Sequence, residues 1–134
     1  MSTHKQLVPE VLRIVAAREA KAMLDEVNGV QAVVVATIDG FDIASASRTN
    51  VDPQRIAATA SSIAAISAVV SAETNLGRNR SIIIDTDTDS GFAVVYSVQA
   101  DEHQLVIDVV ADKSAVIGQV VYRTAHFART LART

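Results

Sequence analysis

The sequence contains no cysteine, no tryptophan and only 4% aromatic residues among its 134 positions. Without cysteine there is no disulfide, no thiolate nucleophile and no sulfur-ligated zinc, and a reducing compartment is permitted. A basic excess is also missing. The formal net charge is −3 and the pI is near 5.5, which argues against a protein that tracks nucleic-acid phosphates. No run approaches the ~18 consecutive apolar residues of a membrane span, and the N-terminus lacks the apolar stretch of a secretory signal. Neither GxxxxGK[ST] nor GxGxxG occurs, so no recognised loop cradles a nucleotide. No linker, low-complexity tract or repeat of 20–50 residues divides the chain. These absences predict a soluble, cytoplasmic protein that neither binds nucleic acid nor inserts into a membrane.

What is present is aliphatic. Hydrophobic residues make up 49% of the chain, and mean hydropathy is +0.26, carried mainly by Ala, Val and Ile. A chain of this mass buries roughly two-thirds of its surface on folding, enough for one self-sufficient core. We therefore expect one domain over residues 1–134, with residues 1–9 as a flexible tail.

Apolar residues at Leu12, Val15, Ala16, Ala20, Met23, Leu24 and Val27 follow helical spacing over 8–27, and Asn28-Gly29 stands where a C-terminal cap belongs. Residues 31–38 are apolar on both parities, and Asp39-Gly40 is a strong hairpin signal leading into 41–46. Asp52-Pro53 reads as an N-cap and first helical residue of a long helix reaching 74 or 75, with Gly77 just beyond. Residues 81–85, 91–98 and 104–111 read as three further strands. Asp112 or Ser114 is positioned to cap a last helix with an inward stripe of Ile117, Val121, Thr124, Ala128 and Leu131. The order is α-β-β-α-β-β-β-α. Strands 31–38 and 105–110 are apolar on both parities, so helices must cover both faces of the sheet. The expected fold is an α/β (α+β) three-layer α-β-α sandwich with a five-stranded, mainly antiparallel sheet.

The second helix is the unusual segment. Between Arg55 and Glu73 it holds almost only Ala, Ser, Thr, Ile and Val, with none of the Lys and Glu of a solvated face. Ile56, Ala60, Ile63, Ile66 or Ser67, and Val70 can seat it on the sheet. Ala57, Ser61, Ala64, Ala68 and Ser71 then form a second stripe of small side chains, which permits close approach of another helix. This stripe reads as a dimer or partner interface, and Ala64→Glu is expected to break it; burial of both stripes within one subunit is the competing reading. Ile82, Ile83 and Ile84 lie in a short strand that, at a sheet edge, can pair with its copy in a second subunit, unless Arg80 and Asp85 protect that edge.

Chemistry-bearing groups are sparse. Asp85-Thr-Asp87-Thr-Asp89-Ser-Gly91 begins like a calcium loop, but Gly falls at the seventh position and Tyr96 stands where a bidentate Glu is needed. It reads as an acidic hairpin turn. His4, His103 and His126 show no metal-ligand spacing, and no GxSxG elbow surrounds the serines. We expect no catalytic residue, no metal and no cofactor. Asp108 interrupts Leu105-Val-Ile-Asp-Val-Val in a central strand, where a buried carboxylate needs a partner or becomes neutral. Tyr122, His126, Arg129 and Arg133 share one face of the last helix, read as solvated.

Element order and local signatures together resemble the roadblock/dynein-light-chain domain, particularly its bacterial gliding-polarity regulators. Carrying the resemblance over about 11–131 are Val27-Asn-Gly-Val30, Asp39-Gly40, the small-residue helix 56–71, Leu76-Gly77-Arg78 and Ala115-Val-Ile-Gly118. The resemblance implies a homodimer with the second helices side by side and the third strands paired across the twofold. It also implies binding of a small Ras-like GTPase through the helix surface. Bacterial members of the family can stimulate GTP hydrolysis without donating an arginine finger, leaving the chemistry on the partner. A homodimeric scaffold with no effect on GTP turnover is the alternative, and a ligand or metal sensor has only the acidic turn to motivate it.

Overall fold

In the computed structural model, residues 8–87 and 90–134 are described. Eight elements follow one another: α1 (Glu10–Glu26), β1 (Val30–Thr37), β2 (Asp42–Ser47), α2 (Pro53–Glu73), β3 (Ser81–Asp85), β4 (Phe92–Ala100), β5 (His103–Ala111) and α3 (Ile117–Ala132). The strands form one sheet in the order β2-β1-β5-β4-β3, antiparallel at every junction. β1, β5 and β4 are the interior strands, and β2 and β3 the edges.

Strand alternation sends successive side chains to opposite faces. On one face Val33, Val35, Val94, Tyr96, Leu105, Ile107 and Val109 join the buried residues of α1 and α3 in the main core. On the other, Val34, Ala36, Val95 and Val106 meet Ala57, Ala60 and Ala64 of α2. The double-sided apolar pattern of β1 and β5 thus has its cause in helices on both faces. Phe127, Met23 and Leu131 are fully buried, each stabilising the fold by about 1.5–3 kcal/mol.

The first helix starts later than its periodicity, at Glu10 after the N-cap Pro9. Val8 is buried in the main core, so the expected tail does not extend to Val8 and Pro9; residues 1–7, with His4, lie outside the described residues. In α3, neither Asp112 nor Ser114 is the cap. The N-cap is Val116 and makes no side-chain bond, because Asp112 is engaged earlier, accepting from the backbone N–H and the hydroxyl of Ser114. Helix α3 buries Val120, Thr124, Phe127, Ala128 and Leu131, while Ile117 stays exposed.

Two of the signature segments, far apart in sequence, meet in space. Asn28 donates from its side chain to the Ser114 carbonyl (3.0 Å), and Asp112 donates its N–H to the Gly29 carbonyl (2.8 Å). Gln31 donates to the Asp112 carboxylate (2.9 Å), and the Arg48 guanidinium donates to the Leu24 carbonyl at the end of α1. Gly29 has φ +88°, and a Cβ there would lie 2.6 Å from the backbone nitrogen of Ala115. Gly29→Ala is therefore expected to cost about 2 kcal/mol, combining left-handed strain with a backbone clash. Urea denaturation checks it, and an unchanged midpoint would contradict the argument.

Candidate interaction surface

Helix α2 is fixed at both ends. Asp52 caps its start by accepting from the Gln54 N–H (3.1 Å), with Pro53 at the first helical position. At its end Asn75, with φ 58°, takes the left-handed position. Leu76 N–H reaches the Ser71 carbonyl (3.1 Å) and Asn75 N–H the Ala72 carbonyl (3.4 Å), the paired bonds of a Schellman motif. The turn is thus made by Asn75, two residues before Gly77.

The rotation of α2 about its axis differs from the one read from periodicity. Ala57, Ala60, Ser61, Ala64 and Ser71 are the buried residues. Four of the five stripe residues expected to face a partner, Ala57, Ser61, Ala64 and Ser71, are therefore turned into their own subunit; Ala68 is exposed. The displacement is about one residue step, roughly 100°. Close approach is the physical reason: methyl-sized side chains let the helix backbone settle onto the flat Val and Ala surface of the sheet, and the Ser61 hydroxyl donates to the Thr37 carbonyl (2.8 Å). Bulky Ile and Val at those positions would lift the helix off.

The consequence is a helix with its large side chains outside. Ile66 is 65% exposed, Val69 57% and Val70 53%. Of the expected seat, Ala60 is buried against the sheet, and Ile56 and Ile63 pack partly buried beside it. Helix α2 has the length and mean hydropathy (1.5) of a membrane-crossing segment, although its buried Ala row is spoken for by the sheet.

Strand β3 occupies a sheet edge, paired with β4 alone. Ile82 is half-buried on the α2 face against Ala60, Ala64, Val95 and Val106. By alternation Ile84 shares that face and Ile83 lies on the other; both are exposed. The outer row of α2 and the open edge of β3 leave an apolar surface without a cover in the monomer, the feature that marks interaction sites.

Asp108 projects on the same side of the sheet as α2, its strand neighbours being Val34 on β1 and Val95 on β4. It is buried, its Oδ1 has no hydrogen-bond partner, and desolvation pushes its pKa up to about 6. No group of three or more His, Cys, Asp or Glu side chains that could hold a metal occurs among the described residues. Within the acidic turn, Thr86 N–H donates to the Asp85 carboxylate (3.0 Å) and the Thr86 hydroxyl to the Gly91 carbonyl (2.8 Å); Asp89 lies outside the described residues. His126 is exposed on α3, its ring 3.4 Å from Arg123, and His103 opens β5.

The Roadblock/LC7 domain profile matches residues 16–107. The chain belongs to the Roadblock/LC7 family. No curated protein is significantly similar to it in sequence, so the roadblock assignment rests on the profile and on shape. A structure of MglB in a tetrameric arrangement is similar, with 18% identity and a TM-score of 0.79 over 94% of this chain and 91% of that one. The gliding protein MglB of Thermus thermophilus is similar at 17% identity and TM-score 0.76, over 94% and 92%. Profilin II of Acanthamoeba castellanii shares the fold more loosely, at 11% identity and TM-score 0.59, over 88% and 94%. The roadblock fold, with its element order α-β-β-α-β-β-β-α, is the one expected from the sequence.

Proposed function

We propose that this roadblock chain is a single-domain, non-enzymatic cytoplasmic regulator of a small Ras-like GTPase, acting as a homodimer. Two copies meet through the outer α2 row of Ile66, Val69 and Val70 and the β3 edge, with Ile83 and Ile84 beside it. The paired helices then present their remaining surface to the GTPase. The observation that carries this reading is the apolar outer face of α2: large β-branched side chains in water are stabilised by a partner's surface. The MglB assembly in a tetrameric arrangement supports self-association as a property compatible with this fold. Family membership supports a regulatory role in place of a catalytic one.

The test is single-turnover GTP hydrolysis by a small Ras-like GTPase with and without the purified chain. Acceleration on the order of tenfold or more, about 1.4 kcal/mol of barrier, is expected. Binding without acceleration would assign the chain the adaptor role instead. Failure to bind any small GTPase encoded beside it would remove the proposal.

A further inference from the structure

A groove of about 560 Å³ opens along the flank of α2 formed by Ala64, Ala65 and Ala68, between that helix, the loop before β3 and the adjoining ends of β1, β4 and β5. Helical spacing puts this flank opposite Ile63 and Val70, with Ala65 one turn from Val69 at the rim of the surface proposed for self-association. Its charge is opposite to that of the chain as a whole. Arg78 and Arg80 line it, no carboxylate does, and neither guanidinium has an acidic partner among the described residues. Between them Asn79 contributes a buried side-chain amide nitrogen that meets no acceptor.

An unmet buried donor costs about 1–3 kcal/mol, and a ligand oxygen placed there recovers that cost. Two guanidinium groups beside it favour a carboxylate, which accepts charge-assisted hydrogen bonds from both. The apolar part of the lining is Ile38 with Ala64, Ala65 and Ala68 along the helix, and Ser97, Gln99 and Gln104 add neutral polar groups. A neutral polar ligand would leave those cations unused, and a bare inorganic anion would leave that wall wet. The volume lies within the usual range for a small-molecule site.

We propose that this groove binds an amphipathic small-molecule carboxylate. Arg78, Arg80 and the Asn79 amide hold its head, and its short apolar chain lies along Ile38, Ala65 and Ala68. The groove borders the α2 surface proposed for self-association and for the GTPase, and octanoate binding is measured without the GTPase, so its failure is distinguishable from failure of that reading.

Octanoate is the probe, titrated into the intact protein at fixed ionic strength and followed by amide chemical shifts. Saturable shifts confined to the loop 77–80, the C-terminal half of α2 and the ends of β4 and β5 are expected. Octanol and acetate, each carrying half of the chemistry, should bind at least roughly tenfold more weakly, the loss of one charge-assisted contact or of a few buried methylenes. Asn79→Ala and the double variant Arg78→Gln, Arg80→Gln should each weaken octanoate by a similar factor while the spectrum elsewhere stays folded. Octanol binding as tightly as octanoate would overturn the proposal, as would variants that bind like wild type. Saturation only by an acidic peptide, with octanoate inert, would overturn it equally and assign the groove to a protein segment.

Discussion

Ala64→Glu is expected to abolish folding, whereas Ile66→Glu, two residues along the same helix, is expected to leave the fold intact and abolish self-association. The contrast follows from the rotation of α2. Ala64 is 4% exposed and packs on Val95 and Val106, both fully buried. A glutamate there must fit its side chain between helix and sheet, or displace the helix so that the carboxylate reaches the groove lined by Arg78 and Arg80. Overpacking at this close contact, together with the lost packing of Ala57 and Ala60 as the helix is displaced, costs several kcal/mol. Against a total stability of about 5–15 kcal/mol, that loss is decisive. The expected result is insoluble protein, or a variant without a cooperative thermal transition by circular dichroism.

Ile66 stands in water already. Replacing it with glutamate exchanges one exposed side chain for another, and such surface changes are usually within about 0.5 kcal/mol. The monomer should melt as wild type does at low concentration. In a dimer built on the outer α2 row, the same glutamate lands inside an apolar contact, where an unpaired charge is expelled. Light scattering coupled to size exclusion at micromolar concentration should show wild type at twice the monomer mass and Ile66→Glu at the monomer mass. A variant that stays dimeric would show that the contact lies elsewhere, and a monomeric wild type would remove the apolar row from the functional argument.

Most of the architecture could be read from spacing because it rests on strong local signals. Helical periodicity fixed α1 from Leu12 to Leu24, the Asp39-Gly40 turn defined the first hairpin, and the apolar run Ser81–Asp85 marked β3 at its observed ends. The double-sided Val pattern of β1 and β5 then required helices on both faces. The rotation of α2 was not legible, for a physical reason. Both of its stripes are apolar or small, so hydrophobicity alone assigns the larger side chains to the sheet. The sheet selects against them by distance: its α2 face is paved with Val34, Ala36, Val95 and Val106, and close packing there favours Ala over Ile. The anion groove was hidden for a related reason, since Arg78 and Asn79 converge with Gln104 and Ala68 only through the tertiary fold. Caps were equally misleading at α3, where Asp112 serves the junction with Gly29 and Gln31 and leaves the helix start to Val116.

Stability is expected to fall as pH rises from about 4 to about 6.5 through one group, and Asp108→Asn should remove that part of the slope. Desolvation raises Asp108 from its ordinary value of 3.8 to about 6, with Oδ1 left without a hydrogen bond. Between those two pH values the folded chain keeps a proton that the unfolded chain has released. Folding therefore takes up a proton in this window, and linkage makes the folded state progressively less favoured as pH increases. The contribution is complete below about pH 3.8, is lost through pH 6 and is flat above it. The displacement from 3.8 to about 6 corresponds to about 3 kcal/mol. Asp112 works in the opposite sense and at lower pH: its hydrogen bonds from Ser114 lower its pKa, so its contribution disappears only on acidification. Urea denaturation at pH 4, 5, 6 and 7 separates the two. The pH 4 to pH 7 loss should be about 2 kcal/mol smaller in Asp108→Asn than in wild type, since part of the effect is already spent at pH 4, with the acid limb common to both. Parallel curves for the two proteins would mean that Asp108 finds a partner in solution. A converging pair would mean that the face beneath α2 is kept apolar by a neutral carboxylic acid, and that the seat of the helix bearing the contact surface weakens as that acid ionises.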